Sequence, residues 1–349
     1  MLQSERKLIK LESQRKMMDY AEDVSSGSKE FAKQFIKQMH SDKNLKSSIV
    51  FAGDAESLSP EAKLMKLIDL DPWSGKKHYD DELTQQLLKE NPELCEKKLN
   101  FEFTKDPIYP LTMLSALGAS EKTIKMCYKA FPDAIEHNDR WIGTCLHYAC
   151  HYRANKKVIK FLMEKNDDMA DETNLAKRLP LHTAVMAHSS AEVIALLIKG
   201  NKGALKRKDR EGNTPLHHAV NRTDADLEVV ELLTKKNAKA CVEKNNQGST
   251  PLHLAVAHST TLPILEALMF ASDEALYMED DRGNLPLHTS LHSNTELKIT
   301  QFLLWQHQGA MMHKNKAGDT PLDMAKRIRR KDYPLHEILT PAPTEADDE

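Results

Sequence analysis

Apolar residues along this chain recur in short clusters at helical spacing, and the clusters are of two kinds. The first kind has the pattern Val193-Ile194-x-Leu196-Leu197, in which residues three and four apart form one face of a helix. Similar clusters occur at Val229-Val230-x-Leu232-Leu233 and Ile264-Leu265-x-x-Leu268. The second kind is shorter and follows a threonine and a proline, as in Thr214-Pro215-Leu216-His217-His218-Ala219. The pattern predicts pairs of short helices.

The threonine-proline motif returns at a nearly constant interval. Thr250-Pro251-Leu252-His253-Leu254-Ala255 is an almost unchanged copy, and weaker copies precede and follow it. The residue in the proline position is number 110, 145, 180, 215, 251, 286 and 321, so the steps are 35, 35, 35, 36, 35 and 35 residues. A period of roughly 20 to 50 residues over many copies indicates a stacked array, in which each unit buries its apolar face against its neighbours.

The residues of each copy suit the start of a helix and the turn before it. Threonine caps helices well, and proline at the first helical position has a preset φ angle and no N–H to leave unpaired. Asp or Asn followed three residues later by Gly, as in Asp209-x-x-Gly212, predicts a hairpin turn in which glycine takes a positive φ. Ile142 and Lys177 occupy the glycine position in two units, so we expect those two turns to be built differently.

The Thr-Pro-Leu-His-x-Ala string resembles the ankyrin repeat, whose period is about 33 residues. The resemblance covers residues 110–333 clearly and 60–109 weakly. It implies an all-α fold, an ankyrin-like repeat solenoid of helix-turn-helix units with hairpin tips, preceded by N-terminal helices. It also implies a protein-protein interaction scaffold that binds a partner in a concave groove lined by the tips and first helices. The repeated histidine is then expected to hydrogen-bond neighbouring backbone; its copies are His147, His182, His217, His253 and His288.

The repeats set the expected domain organisation. Since each unit contacts only its neighbours, we expect a single elongated array. We expect four regions: an N-terminal helical extension, partly mobile, at 1–58; a degraded first repeat with a loop insertion at 59–108; the repeat array with its C-terminal cap at 109–339; and a disordered acidic tail at 340–349.

Charge and composition narrow the classes of partner. The 349 residues contain 49 Lys and Arg against 52 Asp and Glu, a net charge of −3, so nothing favours direct nucleic-acid binding. No apolar run approaches the roughly 18 residues of a membrane span, and the N-terminus has no apolar signal region. Five cysteines without a CxxC pair predict a reducing compartment. We expect a monomeric protein that is cytoplasmic, with a nuclear location as the alternative.

The sequence shows no catalytic or metal-binding pattern. It has no phosphate-binding Gly-x-x-x-x-Gly-Lys-Ser/Thr loop, no Gly-x-Ser-x-Gly elbow and no His-Glu-x-x-His pair. The repeated histidines are one unit apart, too far to share a metal ion, and the others lack ligand spacing with Cys or Asp. Cys145 lies near His147 but replaces the proline of a helix start. We therefore expect no enzyme activity, no cofactor and no metal.

Residues at the tips and first helices are the candidates for partner binding. Aromatic residues and arginine are common at binding hot spots, and positive charge is concentrated on successive tips. An aromatic anchor beside cations predicts an acidic peptide segment with an apolar anchor residue. The predicted partner-binding residues are Arg140, Trp141, Tyr148, His151, Tyr152, Lys177, Arg178, Arg207, Lys208, Arg210 and Arg222.

An alternative keeps those residues structural. Trp141 would then pack under the 99–108 insertion, the cations would be ordinary solvated side chains, and the anchor would lie nearer His258 and His292. The basic cluster Lys326–Lys331 also has two interpretations, a nuclear import signal or the solvated face of a capping helix. An import signal would favour the alternative function, a regulatory or inhibitory subunit acting on a nuclear or DNA-associated partner.

Overall fold

The computed structural model describes residues 58–73, 79–292 and 295–327, and these residues form α-helices and short 3₁₀-helices with no strand. The all-α prediction of paired helices with hairpin tips is confirmed for this part of the chain. Two compact units meet in the sequence between Asn166 and Asp167, a boundary that the regular period does not predict. The proposed extension, apart from Leu58, and the proposed acidic tail lie outside the described residues.

The first unit contains three helix pairs. Helices α1, α3 and α5 pack in sequence order as one row, and α2, α4 and α6 pack as a second row beside it. Each second helix leads into the next hairpin, and α2 and α4 do so through a 3₁₀-helix. The α-helices are α1 Pro60–Ile68, α2 Asp81–Glu90, α3 Pro110–Leu117, α4 Glu121–Ala130, α5 Cys145–His151 and α6 Lys156–Lys165; the 3₁₀-helices are Pro92–Glu96 and Pro132–Glu136.

The second unit repeats the arrangement. Helices α7, α9, α11, α13 and α15 pack consecutively as the row of first helices, and α8, α10 and α12 form the row of second helices. The α-helices are α7 Pro180–Met186, α8 Ala191–Gly200, α9 Pro215–Val220, α10 Leu227–Lys236, α11 Pro251–Ala257, α12 Leu262–Ala271, α13 Pro286–His292, α14 Leu297–Gln306 and α15 Pro321–Arg327; the 3₁₀-helices are Asp167–Ala170, Lys202–Lys206, Ala238–Val242, Asp273–Tyr277 and Gln308–Met312.

The leucine that follows the proline position forms the core of each repeat. It is at most 2% exposed in six repeats and becomes partly exposed only at Leu322 of α15, where the described chain ends soon after. The residue three positions further on is also buried, and in four of these six repeats it is an alanine, whose small side chain lets adjacent first helices approach closely. The buried leucines are Leu111, Leu146, Leu181, Leu216, Leu252 and Leu287.

The repeated histidine caps five of the first helices, α5, α7, α9, α11 and α13. Nδ1 of His217 accepts the backbone N–H of Thr214 at 3.2 Å and the Thr214 hydroxyl at 2.8 Å. Leu179 and Leu285 donate the same backbone bond to their histidines, although leucine has no hydroxyl. The sequence assigned the cap to threonine, but the histidine side chain satisfies the backbone N–H, and threonine adds a second bond to the ring.

The other ring nitrogen joins one repeat to the next. Because Nδ1 accepts a backbone N–H it carries no proton, so Nε2 is protonated and donates. Nε2 of His217 donates to the carbonyl of Ser249 at 3.1 Å, and that of His253 donates to the carbonyl of Asn284 at 2.9 Å. The backbone-bonding role predicted for these histidines is confirmed.

These bonds require neutral histidine, which makes folding sensitive to acid. Burial lowers the pKa of His217 to about 4 and that of His182 to about 3. Histidine in an unfolded chain titrates near pH 6.5, so below that pH the unfolded state binds more protons than the folded state. Stability therefore falls as the pH drops from about 6.5 to about 4, by up to about 1.4 kcal/mol per pH unit for each such histidine.

We predict that His217→Gln lowers the free energy of unfolding at pH 7.5 by about 1 to 3 kcal/mol, because buried backbone groups lose their partner. The same variant should show a shallower loss of stability between pH 6.5 and 4.5, since one depressed pKa is removed. Urea unfolding followed by circular dichroism at several pH values measures both effects. Thr214→Val, which keeps the ring, is the matched control; an unchanged slope in His217→Gln would contradict the titration argument.

The hairpin turns are built on one Asp or Asn side chain. Oδ1 of Asp209 accepts the backbone N–H groups of Glu211 and Asn213, each at 2.9 Å, and Gly212 between them has a φ of +79°. The turns beginning at Asn174, Asn245, Asp280 and Asn315 use the same pair of bonds.

The two turns without glycine at that position differ from each other. Lys177 simply adopts the glycine conformation, with a φ of +57°, so that turn is unchanged and the expectation of a different turn is wrong there. The turn containing Ile142 places its positive φ angles at Arg140 (+64°) and Gly143 (+116°), so it is built differently, as expected.

Successive tips of the second unit are linked by one backbone hydrogen bond per repeat. The residue after the turn's Asp or Asn donates to a carbonyl of the preceding tip: Arg210 to Ala176 at 2.8 Å, Asn246 to Glu211 at 3.0 Å, Asp281 to Gln247 at 3.2 Å and Lys316 to Arg282 at 2.9 Å. A Cβ added to Gly248 would lie 2.3 Å from the Asp281 nitrogen. The tips thus approach closely enough to require glycine.

We predict that Gly248→Ala destabilises the fold more than Gly318→Ala. Both glycines have positive φ, at +72° and +83°, so both substitutions have a conformational cost of about 1 to 2 kcal/mol. Only Gly248 also meets a neighbouring tip, whereas nothing described lies within 4 Å of a Cβ at Gly318. Chemical unfolding of both variants checks the difference, and equal losses would show that the tips can separate freely.

Candidate protein-binding surface

In the first unit, the tip that begins at Asn138 is organised by Asp139. Its Oδ1 accepts the N–H groups of Ile142 at 3.0 Å and Gly143 at 2.7 Å, while Oδ2 accepts the hydroxyl of Tyr148. Tyr148 is 1% exposed, and burial raises the pKa of its hydroxyl. Tyr148 therefore supports the turn from inside, and the prediction that it contacts a partner is corrected.

Trp141 lies against a neighbouring hairpin. Leu99 and Ile108 exchange two backbone bonds, of 2.9 and 3.1 Å, which close the 99–108 segment into a hairpin. Nζ of Lys105, from that hairpin, lies 3.7 Å from the centroid of the Trp141 ring. The half-buried Trp141 is thus engaged by its own fold, which supports the alternative interpretation, while Arg140 beside it is exposed.

An aromatic cluster that includes two of the predicted residues forms at the end of α5. The ring of Trp73 makes edge contacts with His151 and Tyr152, with centroids 5.3 Å apart in both cases. Tyr152 is 4% exposed, so it forms the floor of the cluster rather than its surface. Trp73 and His151 are half-buried and face outward in part. Sequence reasoning missed Trp73, since 78 residues separate it from His151.

In the second unit, Arg178 belongs to a buried ionic network. It is 3% exposed, and its Nε donates to Oδ2 of Asp209 at 3.2 Å while its Nη2 reaches Glu211 at 3.5 Å. His218 shares the same Asp209 oxygen at 2.9 Å. Burial alone would raise the pKa of Asp209, but the His218 hydrogen bond and the charge of Arg178 outweigh it and hold the pKa below its usual value. Arg178 is therefore structural, and its predicted place on the surface is corrected.

Three other predicted cations are paired at the surface. Lys208 lies 2.8 Å from Glu243, Arg222 lies 2.6 Å from Asp224, and the looser contact of Arg207 with Asp171 measures 3.7 Å. Lys177 and Arg210 are exposed, and no described carboxylate lies within ion-pair distance of either. The backbone bond from Arg210 to Ala176 holds these two cations on consecutive tips.

Two exposed aromatic residues mark another part of the second unit. Phe270 is 96% exposed and Trp305 is 72% exposed, and both are the next-to-last residue of a second helix. Lys199 and Lys235 occupy that position in α8 and α10. Aligning the repeats at this position would have revealed both aromatics from the sequence. His258, suggested as part of an alternative anchor, is half-buried at the end of α11, and the His292 side chain lies outside the described residues.

Metal-binding clusters and membrane-spanning helices are absent from the part of the chain that the structure describes. No group of three or more His, Cys, Asp or Glu side chains among them is arranged to hold a metal ion. None of the described helices is long and apolar enough to cross a membrane. The five cysteines are buried and none forms a disulfide. Burial raises the pKa of the Cys145 thiol, which lies two residues before His147, to about 12.

Comparison with known proteins identifies the repeat. A family model for ankyrin repeats, in three copies, matches residues 181–277. These residues are ankyrin repeats. The chain is also similar to the crystal structure of the ankyrin repeat domain of Bcl-3, described as a unique member of the IkappaB protein family. That similarity has a TM-score of 0.56 at 21% identity, over 67% of this chain and 99% of that chain, and it shows the fold alone. No curated protein matches the sequence.

The ankyrin repeats show which side chains are available to a partner. The histidine, leucine and glycine, in the repeats that have them, are committed to caps, core and tip contacts. The residue directly after the turn's Asp or Asn is exposed in every repeat and differs in chemistry from one to the next. It is Arg140, Leu175, Arg210, Asn246, Asp281 and Lys316 in chain order.

We predict that Arg178→Met lowers the free energy of unfolding by about 3 to 5 kcal/mol, because it leaves the buried Asp209 carboxylate without its cation. Arg210→Met, on the surface of the same hairpins, should change it by less than about 0.5 kcal/mol. Urea unfolding of both variants at pH 7.5 separates the two roles. A small effect of Arg178→Met on stability would contradict the structural role of Arg178 and make it a candidate for partner binding again.

Proposed function

We propose that this chain is a non-enzymatic protein-protein interaction scaffold that binds a partner through the tips and first helices of its ankyrin repeats. The observation that carries the proposal is the single tip position that is exposed in every repeat yet occupied by Arg, Leu, Asn, Asp or Lys. The backbone bonds between tips fix the spacing of these residues in the second unit. A rigid backbone with changing exposed side chains suits recognition of one partner surface.

The chemistry of the second unit favours an acidic peptide segment. Lys177 and Arg210 present two cations on consecutive tips, and Leu175, which is 43% exposed, stands beside Lys177. Carboxylates of a partner would pair with the cations, and an apolar side chain next to them would contact Leu175. This retains the acidic segment with an apolar anchor predicted from the sequence, but on fewer residues.

The first unit offers a different contact. Trp73 and His151 form the exposed part of the aromatic cluster, and the Arg153 guanidinium lies 5.9 Å from the Trp73 ring. Aromatic rings next to an arginine are typical of the anchor positions of an interface. We propose that this cluster, instead of Trp141, takes an apolar side chain of a partner.

The alternative, a regulatory or inhibitory subunit acting on a nuclear or DNA-associated partner, stays a prediction. Of the basic cluster Lys326–Lys331, only Lys326 and Arg327 are described. Both side chains are exposed on α15, and Arg327 pairs with Asp319. This placement is consistent with a solvated helix face. Bcl-3 is a member of the IkappaB family, but a similarity in fold alone supplies no partner for this chain.

We predict that the full chain carrying both Lys177→Glu and Arg210→Glu no longer captures the main proteins that the wild-type chain binds. Proteins captured from cell extract on the immobilised chain are quantified by mass spectrometry, and association of the most abundant one is then measured at two salt concentrations. The variant should slow association by roughly tenfold and flatten its salt dependence.

Lys235→Glu combined with Lys239→Glu is the matched control, since both lysines are exposed and the change in charge is the same. Capture that survives in the tip variant, or is lost equally in both variants, would count against the tip surface as the binding site.

A further inference from the structure

Positive charge is concentrated on one face of the first unit that the proposed function does not use. Helices α4 and α6 carry seven lysines and two glutamates, Glu121 and Glu164, a net charge of +5 from 7 − 2 within a chain whose net charge is −3. All seven lysines are exposed. We name this surface the lysine face; it consists of Lys122, Lys125 and Lys129 of α4 and Lys156, Lys157, Lys160 and Lys165 of α6.

The lysine face is continuous across the two helices. Helices α4 and α6 pack side by side, and Lys125 of α4 lies 5.5 Å from the ring of Phe161 of α6. The pKa of Glu121 lies below its usual value because Lys125 donates a hydrogen bond to it, with Lys157 and Lys160 of α6 adding to the effect. Lysines of both helices are therefore close enough to the Glu121 carboxylate to lower its pKa.

The ion pairs of the described residues leave part of this charge unneutralised. Lys125 pairs with Glu121 at 2.7 Å and Lys160 with Glu164 at 3.5 Å, each within one helix. No described carboxylate lies within ion-pair distance of Lys122, Lys129 or Lys157. Like charges on neighbouring helix positions repel one another, so an anionic partner relieves a cost that the free protein bears.

The form of the lysine face indicates the kind of partner. The three lysines of α4 are spaced i, i+3, i+7, so successive lysines are about 4.5 and 6 Å apart along the helix axis. Acidic residues on one face of another helix have the same spacing. A shallow depression of about 430 Å³ lies among Glu121, Lys122, Lys125, Met126 and Lys129. Met126 and the methylene stems of the lysines give it an apolar floor.

The boundary of the lysine face limits the size of the partner. Helix α2, which packs against α4, has three carboxylates and one lysine, a net charge of −2 from 1 − 3. The face is therefore about two helices wide, on the order of 20 Å. A membrane or a long nucleic acid would extend over α2 and be repelled. Neither α4 nor α6 contains the arginine that grips phosphate with two parallel bonds.

We propose that the lysine face binds a short acidic helix of a partner protein, whose carboxylates at i, i+3, i+4 and i+7 pair with the lysines and whose single apolar side chain enters the depression over Met126. The surface lies on second helices, separate from the tips. A partner held there uses none of the residues proposed at the tips. The chain would then hold two protein segments at once.

The test uses the full chain and two labelled synthetic 16-residue peptides. One has glutamates on one helix face around a central leucine, and the other has the same composition with the glutamates distributed around the helix. Fluorescence anisotropy at 50 and 200 mM NaCl should show at least about tenfold tighter binding of the patterned peptide. Replacing its leucine by serine should weaken binding severalfold with the wild-type chain and have little effect with Met126→Ser.

The triple variant Lys122→Glu, Lys129→Glu and Lys157→Glu should bind the patterned peptide at least about tenfold more weakly. The salt dependence of that binding should also become flatter. The control is a second triple variant that makes the same charge change on exposed residues of the second unit: Lys199→Glu, Lys202→Glu and Lys235→Glu. It should lower the affinity for the patterned peptide by less than about twofold. Thermal melts confirm folding, and a Lys→Gln version of the triple variant replaces any version that misfolds.

Three results would overturn the proposal. The first is equal binding of the two peptides, and the second is equal weakening by the two triple variants. The third is tighter binding of 16-nucleotide single-stranded DNA or of vesicles containing phosphatidylserine, abolished by the lysine-face variant, which would assign the surface to a phosphate-bearing partner.

Discussion

The imidazole of the repeated histidine joins the start of one helix to the next hairpin, and the other features of each repeat depend on those two bonds. In His217 one nitrogen accepts from Thr214 and the other donates to Ser249, so the ring fixes both the helix end and the position of the next tip. The tip in turn places Asn246 against the carbonyl of Glu211. Because both ring nitrogens are used in this way, the imidazole is held in one neutral tautomer inside the repeat.

Features that depend on a single repeat were predictable from the sequence. The burial of Leu216, the positive φ of Gly212 and the structural role of His217 follow from local residue chemistry repeated at a fixed period. The burial of Arg178 was not predictable, because it depends on Asp209 and its neighbours in the next hairpin, 31 residues away. A lone arginine at a tip has the same local sequence whether it faces solvent or a buried carboxylate.

Contacts between residues that are distant in the sequence also explain the errors in the predicted binding residues. Tyr148 and Tyr152 have the composition of a binding hot spot, yet Asp139 and Trp73 cover them. The contact of Trp73 with His151 spans a segment that no repeat period describes. The lysines of α4 and α6 were not among the predicted site residues, although they recur at helical spacing and their exposure follows from the apolar residues on the opposite side of each helix.

The three tryptophans are unevenly placed, and this gives the protein a built-in reporter. Trp73 and Trp141 belong to the first unit and are half-buried, whereas Trp305 belongs to the second and is 72% exposed. Indole emission changes wavelength when its surroundings change from protein to water, and Trp305 is in water already. Intrinsic fluorescence will therefore report the unfolding of the first unit and change little when the second unit unfolds. Circular dichroism detects the helices of both units, so comparing the two signals shows whether the units unfold together.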